Sequence, residues 1–281
     1  MLISTNSGLY SKRMGQSRYL MTDAMDFFAR MGFEAVDVNY AATIYDGEEK
    51  HEPVLDGDWK ANVAAVRERI LANGLAVSHT HLPFYDYEMA DKDTLNFNNQ
   101  MTFRSIEASA LVGAKLAVIH PQRQQGTAYF RPTLVKRTVE LLTPFREAAE
   151  KAGVTLCVEN MNTTTPEQLL EIANGLDCAV CWDCGHANLA GVNQHDAIVY
   201  LGNKVQVLHL HDNYGAKDDH ALPFIGNVDW AGLLKGLREV GYPGTFNYEV
   251  SAPALPHDLR EEHARYMVKA ARCLLDTYYK D

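Results

Sequence analysis

Three apolar runs stand in residues 154–213 of this sequence: VTLCVEN (154–160), AVCWDCGHAN (179–188) and VQVLHLHDN (205–213). Each run reads as a buried β-strand that changes to polar residues at its carboxyl end. Between the first two runs, Thr165-Pro166-Glu167-Gln168 forms a capping box with proline at the first helical position. Strand and helix therefore alternate here, as in a parallel sheet that is covered by helices.

The same alternation extends to both ends of the chain. Eight apolar segments predict strands, at Leu2–Ser4, Phe33–Asn39, Leu75–His81, Leu116–His120, Val154–Glu159, Ala179–Asp183, Val205–His211 and Thr245–Val250. Eight strand-then-helix units in 281 residues predict an α/β fold, a (β/α)8 barrel that forms one domain over residues 1–281. A doubly wound open sheet is the alternative, but no Gly-x-Gly-x-x-Gly turn follows the first strand.

Helical patterns fill the spaces between these strands. Apolar residues recur at helical spacing in residues 17–31 and 58–73, and Asp58 is a candidate cap for the second of these helices. Asp229 is a candidate cap for a later helix, and the last helix is predicted to run from about residue 258 to residue 277. The stretch 41–57 is too long for a simple connection, so we expect a functional loop there.

Composition excludes several classes of protein. The chain is 47% hydrophobic and 22% charged, as a folded protein is. No apolar run approaches the ~20 residues that span a bilayer, and no signal-peptide pattern precedes the first strand. The net charge of −10 argues against broad contact with nucleic acid or with anionic membranes. We therefore expect a cytoplasmic protein without a nucleic-acid or membrane partner.

The cysteines fit a reduced chain better than a disulfide framework or a zinc site. Five cysteines are an odd number, and Cys181 and Cys184 form the only C-x-x-C pair. Residues three apart on a strand point to opposite faces, so this pair is poorly placed to share a metal. Buried free thiols are the favoured interpretation.

Polar residues concentrate at the carboxyl ends of the predicted strands. Seven of the eleven histidines lie at or just beyond a strand end, namely His79, His81, His120, His186, His209, His211 and His220. Three carboxylates, Glu159, Asp183 and Glu249, end strands 5, 6 and 8. In (β/α)8 barrels this end carries the active site.

The residue types at four consecutive strand ends point to a metal centre. Glu159, Asp183, a strand-7 histidine and Glu249 can converge above the barrel axis, where three carboxylates require a compensating cation. Such oxygen-rich ligands suit Mn²⁺ or Mg²⁺. Taken singly, Glu159 could be a solvent-facing strand end and Asp183 a helix cap beside a surface histidine. Strand parity places His209 and His211 on one face and does not choose between them.

At these residues the chain resembles the sugar isomerase/epimerase superfamily with a xylose-isomerase-like barrel, which also contains endonuclease IV. The landmarks are Val158-Glu159-Asn160, Trp182 to Asn188, His209 to Asn213, Asp218-Asp219-His220 with Gly226 to Trp230, and Tyr248-Glu249. Similarity to the ketose 3-epimerases of this superfamily implies that Glu159, Asp183, His211 and Glu249 bind the metal. It also implies that His186 touches a substrate hydroxyl.

The resemblance implies a metal-dependent isomerase or epimerase of a keto-sugar or polyol. Glu159 and Glu249 would be the catalytic pair, one removing and one returning a proton through a metal-stabilised enediolate. The expected cofactor is one divalent ion, Mn²⁺ foremost and Mg²⁺, Co²⁺ or Zn²⁺ as alternatives. The candidate substrate-binding residues are His81, His120, Arg123, His186, His209 and His220. The expected partners are a small sugar and, in a homo-oligomer, further copies of the chain.

Three alternatives remain open. Loss of a β-hydroxyl from the same intermediate would make the protein an inosose-type dehydratase. Endonuclease IV binds three zinc ions, and residues that match its additional ligands are His81, His120, His186, Asp218 and His220. Residues 41–58 nevertheless carry six acidic residues against Lys50, a surface that repels phosphates. A barrel that only binds or regulates is the third alternative, but it would not need both glutamates.

Overall fold

The protein is described here from a computed structural model, which covers residues 1–10, 20–41, 55–122, 131–250 and 255–280. Eight parallel strands form one sheet in the order β7-β6-β5-β4-β3-β2-β1-β8. They are β1 (Ile3–Asn6), β2 (Ala35–Asn39), β3 (Ala76–His81), β4 (Leu116–Ile119), β5 (Thr155–Glu159), β6 (Ala179–Asp183), β7 (Val205–His209) and β8 (Phe246–Tyr248). Strands that are consecutive in sequence are therefore neighbours in space.

The sheet closes on itself between its first and last members. The Leu210 amide donates to the Asn247 carbonyl at 2.9 Å, and the Glu249 amide donates to the Leu210 carbonyl at 3.1 Å. These bonds join the end of β7 to β8, which itself pairs with β1. The predicted (β/α)8 barrel is confirmed, and the open-sheet alternative is wrong. The assignment of one domain to the whole of residues 1–281 stays a prediction.

Helices surround the barrel within the described residues. They are α1 (Met21–Met31), α2 (Trp59–Ala72), α3 (Lys92–Val112), α4 (Arg131–Ala152), α5 (Pro166–Gly175), α6 (Cys184–Leu189), α7 (Gln194–Leu201), α8 (Trp230–Glu239) and α9 (His257–Leu274). Three predicted caps are confirmed, because Asp58, Thr165 and Asp229 each accept a backbone N–H of the first turn. None of the described helices is both long and apolar enough to cross a membrane.

Some element boundaries differ from the sequence prediction. β1 begins at Ile3 and continues to Asn6, because its register with β2 and β8 sets its length. α9 ends at Leu274 and passes into a π-helical turn over Leu275–Tyr279, where a helix to residue 277 was expected. α6 was not predicted, since six residues are too few to show a helical period.

The barrel interior is divided into an apolar and a polar half. On β4 to β7 a small buried cluster is apolar, and it consists of Val118, Cys157, Ala179, Cys181 and Val207. On β2 and β3 the interior instead holds Asp37 and His79, which lie 3.6 Å apart and are almost completely buried. The main apolar core lies outside the strands, against the helices. The polar half lies below the strand ends that carry the candidate site.

Trp182 packs toward a neighbouring helix, and the predicted buried free thiols are found at four of the five cysteines. Trp182 is buried and donates its indole N–H to the Gln194 side chain on α7 at 2.9 Å. All five cysteines are free thiols, and all but Cys273 are buried. Burial raises the pKa of the Cys178 thiol to about 11, so this thiol stays protonated and packs as a small apolar residue.

Candidate functional site

A pocket of about 1200 Å³ opens at the carboxyl ends of the strands. Side chains from six strand ends or the loops that follow them meet in its floor, and these are His81, His120, Glu159, His186, His220 and Glu249. One wall is formed by the segment after β3, where Phe84 stacks on the His120 ring with the ring centres 4.6 Å apart. The floor is polar and one wall is aromatic, a combination common in ligand pockets.

Glu159 lies at the centre of this floor, surrounded by four imidazoles. Its Oε2 atom is 3.2 Å from His120 Nε2, 3.4 Å from His81 Nε2 and 3.2 Å from His209 Nδ1. Its Oε1 atom is 3.5 Å from His186 Nδ1. Burial raises the pKa of the Glu159 carboxyl, but His209 and His120 outweigh burial and hold that pKa well below its usual range. Glu159 is therefore a carboxylate that can accept a proton or bind a cation.

Asp183 is held rigidly at the start of α6. Its Oδ1 atom accepts the His186 amide at 2.7 Å, and its own amide donates to Asn160 Oδ1 at 2.7 Å. The same Oδ1 atom lies 3.1 Å from His211 Nε2. Asp183 is thus a helix cap and also a member of the site, but the histidine beside it, His186, is buried rather than on the surface.

Gly185 allows the His211 ring to reach this position. A Cβ atom at residue 185 would lie 1.9 Å from Cε1 of the His211 ring. Real side chains do not approach so closely, so any other residue at 185 would displace the imidazole. Glycine is therefore needed at residue 185 because a larger side chain would clash with the His211 ring.

Glu249 completes the floor from the β8 side. Its Oε2 atom lies 3.3 Å from His209 Nδ1 and 3.9 Å from His220 Nδ1. Burial raises the pKa of the Glu249 carboxyl, but the positive field of His209 outweighs it and lowers the pKa below its usual value. Glu249 is 17% exposed, against 1% for Glu159. Both glutamates are ionised, and Glu249 is the one open to the pocket.

Asp218 links two further histidines at the rim. Its Oδ2 atom lies 3.3 Å from His186 Nε2 and 3.2 Å from His220 Nε2. Burial lowers the pKa of both imidazoles. At His186 the charges of Asp183 and Asp218 outweigh burial and raise the pKa of the imidazole to about 11. At His220 the contact with Asp218 similarly overcomes burial and raises the pKa to about 9. Without a metal ion, these protonated histidines balance the carboxylates.

Two histidines link the four predicted metal ligands in pairs. His186 Nδ1 lies within 3.5 Å of Glu159 and 3.7 Å of Asp183. The His220 ring stacks on His211 with the ring centres 4.0 Å apart and reaches toward Glu249. Among the described residues, groups that could hold an ion include His81-His120-Glu159, His81-His209-Glu249 and His211-Asp218-His220. The ligand set itself stays a prediction.

The candidate substrate-binding residues fall into three classes. His81, His120, His186 and His220 line the pocket. His209 is absent from the pocket lining and is fully buried, and its Nδ1 atom lies 3.2 Å from Glu159 and 3.3 Å from Glu249. Arg123 lies outside the described residues, and the same holds for most of the acidic strand-2 loop, namely Asp46, Glu48, Glu49, Lys50 and Glu52.

Three positions gained a defined role only from the structure. Asp212 accepts the amides of Phe224 and Val228 at 3.0 Å each, and so fixes the loop that carries His220. The Asn160 side chain pairs with the backbone of Asp183. Both residues stand in the strand-end motifs, which was a usable signal, whereas nothing in the sequence indicated the stacking of Phe84 on His120.

Comparison with known proteins places this geometry in a family. A family model described as xylose isomerase-like TIM barrel matches residues 25–272. The chain belongs to this family. The family assignment agrees with the resemblance seen in the strand-end motifs, and it accounts for eight strands whose functional side chains gather at one end.

Individual members of this fold are distant relatives. An uncharacterized protein of Methanocaldococcus jannaschii is 27% identical over 183 residues, which are 60% of this chain and 62% of that protein. The match thus spans less than two thirds of that relative. The inosose isomerase of Bacillus velezensis is 22% identical over 192 residues, 63% of this chain and 68% of that enzyme. The structure of D-psicose 3-epimerase with D-tagatose from Clostridium cellulolyticum H10 superposes with a TM-score of 0.78 at 14% identity, covering 98% of this chain and 99% of that one.

Proposed function

We propose that this protein is a metal-dependent epimerase or isomerase of an unphosphorylated keto-sugar or polyol. The observation that carries the proposal is the placement of two ionised glutamates, Glu159 on β5 and Glu249 after β8, around one buried cluster of imidazoles and Asp183. The relatives whose names state an activity, D-psicose 3-epimerase and inosose isomerase, act on such compounds. A cytoplasmic location and a homo-oligomeric state stay predictions.

The residues present fit a divalent ion. Both oxygens of Glu159 and the Nδ1 atom of His211 are buried without a hydrogen-bond partner among the described residues. Buried carboxylates that lack hydrogen bonds are costly unless a cation compensates them. Glu159, Asp183, His211 and Glu249 would hold the ion, and three oxygen donors with one imidazole favour Mn²⁺. When bound, the ion would polarise a substrate carbonyl and thereby acidify the adjacent C–H.

The two glutamates divide the proton transfers between them. One carboxylate removes the acidified proton, and the other returns a proton to the opposite face of the same carbon, which is epimerisation. Return to the neighbouring carbon is isomerisation. His186, which lines the pocket beside both Glu159 and Asp183, is placed to orient a substrate hydroxyl.

The pocket wall favours a neutral sugar over a phosphorylated one. Among the lining residues that the structure describes there is no lysine or arginine, whereas Asp86, Asp91 and Asp218 are present. These carboxylates would repel a phosphate. Phe84 stacks on His120 and remains 42% exposed, so its ring can pack against the C–H groups of a sugar.

Metal analysis followed by a substrate screen in deuterated water tests the proposal. The protein is purified with Mn²⁺, its metal content is measured, and free ketoses, keto-inositols and matching sugar phosphates are offered. We expect one ion per chain and a new epimer or isomer of a free sugar that carries deuterium at the reacting carbon. Metal-loaded protein that neither exchanges a C–H nor forms an isomer with any of these compounds would refute the function.

A zinc phosphodiesterase acting on abasic DNA is a second candidate. It is supported by two further groups that could hold an ion, His81-His120-Glu159 and His211-Asp218-His220. The acidic pocket wall opposes DNA binding. Cleavage of an abasic duplex by zinc-loaded protein, with three Zn²⁺ per chain, would establish this activity. An inosose-type dehydratase would be recognised by a product that is one water molecule lighter than its substrate.

A further inference from the structure

The pocket is larger than a single sugar requires. Its volume is about 1200 Å³, whereas pockets that enclose drug-sized ligands measure ~300–1,000 Å³. A monosaccharide is smaller than such a ligand, and the groups proposed to act on it, Glu159, Glu249 and His186, all lie at the pocket floor. A monosaccharide bound at this floor would leave much of the pocket to water. The remaining space can hold a second group of the same ligand.

The remaining space is bounded by the connection between β3 and α3. On the floor, His120 Nε2 lies 3.2 Å from Glu159 Oε2, and Phe84 stacks on the same imidazole ring with the ring centres 4.6 Å apart. From Phe84 the lining continues along this connection and onto α3, with one further residue from the end of β4. We call this part of the pocket the distal wall, and its residues are Phe84, Asp86, Met89, Asn98 and Gln122. The distal wall therefore begins beside the floor and extends to a helix outside the barrel.

Asp86 is held in place within the distal wall. Its Oδ1 atom accepts the Gln122 side-chain amide at 2.8 Å and the Glu88 backbone amide at 2.9 Å. Gln122 is itself fixed, because it is 3% exposed, its Oε1 atom accepts the Tyr87 amide at 3.1 Å and its backbone amide donates to the Thr138 hydroxyl at 3.3 Å. The Asp86 carboxylate is therefore oriented before any ligand binds, and preorganisation of this kind lowers the cost of binding.

The chemistry of the distal wall matches a second sugar ring. A carboxylate accepts hydrogen bonds from hydroxyl groups, and such charge-assisted bonds are stronger than neutral ones. The Phe84 ring, which is 42% exposed, and the Met89 side chain offer apolar surface to the C–H groups of the same sugar ring. The described lining residues include no lysine or arginine, so the wall does not favour a phosphate or carboxylate group. A glycosyl unit has both the hydroxyl and the C–H groups that such a wall binds.

We propose that the distal wall is a second sugar subsite, so that the preferred substrate is a keto-sugar bearing a further glycosyl unit. The keto-sugar occupies the floor, and the glycosyl unit lies against Phe84 and Met89 with hydroxyl groups donating to Asp86. A free monosaccharide fills the floor alone and reacts with a higher KM. The reaction of this substrate rests on the proposed function, whereas binding of the glycosyl unit by Asp86 does not depend on any reaction.

D-Fructose and three of its glucosides test the subsite on the Mn²⁺-loaded protein. The glucosides are maltulose, leucrose and isomaltulose, which keep the carbonyl of the fructose unit and differ in the position of the glucosyl unit. Dissociation constants are measured by calorimetric titration, and kcat and KM by the formation of an epimer or isomer. One hydrogen bond to a charged group is worth about 10–100-fold in affinity. We expect at least one glucoside to bind more tightly than D-fructose by a factor of that size, with the gain in KM rather than in kcat.

Two substitutions in the distal wall separate this subsite from a structural role. In Asp86→Asn the amide oxygen can still accept from Gln122 and Glu88, but the negative charge is lost. Met89→Trp places a large ring in the space assigned to the glycosyl unit. Each should weaken binding of the preferred glucoside by about 10-fold or more and leave the Kd and KM of D-fructose as in the wild type. Asp93→Asn is the matched control, because Asp93 is an exposed residue of α3 outside the pocket lining, and this variant should bind all four sugars as the wild type does.

The outcomes separate the subsite from the function itself. Glucosides that bind no more tightly than D-fructose would overturn the subsite, and so would an Asp86→Asn or Met89→Trp variant that weakens binding of all four sugars equally. Equal kcat/KM for D-fructose and its glucosides would likewise overturn it, while the proposed function would stand. If the wild type converts neither these sugars nor any compound of the broader screen, tighter binding of a glucoside that is lost in Asp86→Asn still supports the subsite, while the proposed function falls. If Asp86→Asn fails to fold, Met89→Trp decides on the same terms.

Discussion

Glu159 and Glu249 differ in their access to water. Glu159 is enclosed by His81, His120 and His209 and is 1% exposed, whereas Glu249 is 17% exposed at the pocket floor. A proton held by Glu249 can therefore exchange with solvent more readily than one held by Glu159. This difference gives the two proton transfers distinguishable isotope signatures.

Replacing either glutamate by glutamine tests whether it transfers a proton. Glu249→Gln and Glu159→Gln each keep an oxygen and the side-chain shape but cannot take a proton. We expect kcat to fall by on the order of 10²–10⁴-fold in each variant, the usual contribution of a general acid or base. Mn²⁺ content is measured in parallel, and rates are compared at saturating metal.

Deuterium exchange then assigns the two roles. A variant that lacks only the returning acid should still exchange the C–H of one substrate epimer with solvent deuterium. We expect each variant to exchange one epimer only, and the two variants to exchange opposite epimers, because each keeps the carboxylate that faces one side of the reacting carbon. Full turnover of either metal-loaded variant would show that the glutamate in question is only a ligand.

Asp37 should make stability depend on pH. Burial raises the pKa of its carboxyl from 3.8 to about 7, so the folded state binds this proton more tightly than the unfolded state does. Stability from this group is therefore present at low pH and is lost as the pH rises from about 4 to about 7. Asp37→Asn removes the ionisation, so in metal-free protein its stability relative to wild type should increase across that range and stay constant above it. Urea unfolding of both proteins from pH 4 to 8 measures the difference, and a difference that does not vary with pH would contradict the assignment.

Sequence alone predicted a candidate site but could not rank its histidines. Strand ends identified Glu159, Asp183 and Glu249, because barrel geometry brings all strand ends to one mouth. His209 and His211 share a face, and the choice between them depends on depth along the barrel, which is a tertiary property. In the structure His211 packs against Gly185 beside Asp183, whereas His209 is buried against Glu159 and Glu249.

At the scale of elements, a helix could be predicted from the sequence where the segment was long enough or began with a capping side chain. The helices that start at Trp59, Pro166 and Trp230 were predicted correctly at their first residues, because each has a side chain that satisfies the first-turn amides. The helix Cys184–Leu189 was indicated in the sequence only by the possible cap at Asp183, because six residues are too few to show a helical period. Its position matters, since it carries His186 into the site.

The capping box at α5 should contribute stability without affecting the site. The Thr165 hydroxyl accepts the Gln168 amide at 3.3 Å, and the Gln168 side chain accepts the Thr165 amide at 3.1 Å. Thr165→Ala should lower the free energy of unfolding by about 1 kcal/mol, the usual cost of losing such a cap. Thr165→Ser keeps the hydroxyl and should behave as wild type. Urea denaturation measures both, with Mn²⁺ affinity unchanged in each, and equal loss in Ser and Ala would show that the methyl group rather than the cap matters.

Over the whole molecule, the fold and the site impose opposite demands. Eight apolar strands close the barrel and bury a large core against the helices. The same closure buries the carboxyl groups of Asp37, Glu159 and Asp183, where negative charges are destabilising unless cations balance them. In the metal-free protein that balance comes from protonated histidines such as His186 and His220.

Removal of the metal should therefore be visible in global stability. A ligand that binds only the folded state at 100 times its dissociation constant stabilises that state by about 2.7 kcal/mol. For a chain of this size that corresponds to a rise in Tm of roughly 5 °C over the chelator-treated protein. In Glu249→Gln, which offers the ion one negative ligand fewer, the rise at the same Mn²⁺ concentration should be smaller. In Thr165→Ala the Tm should fall by the same amount in Mn²⁺ and in chelator, so the rise in Tm that Mn²⁺ causes should stay as in the wild type. Differential scanning calorimetry in Mn²⁺ and in chelator measures the Tm of all three proteins. An equal Tm of the wild type under both conditions would show that the folded protein binds no Mn²⁺.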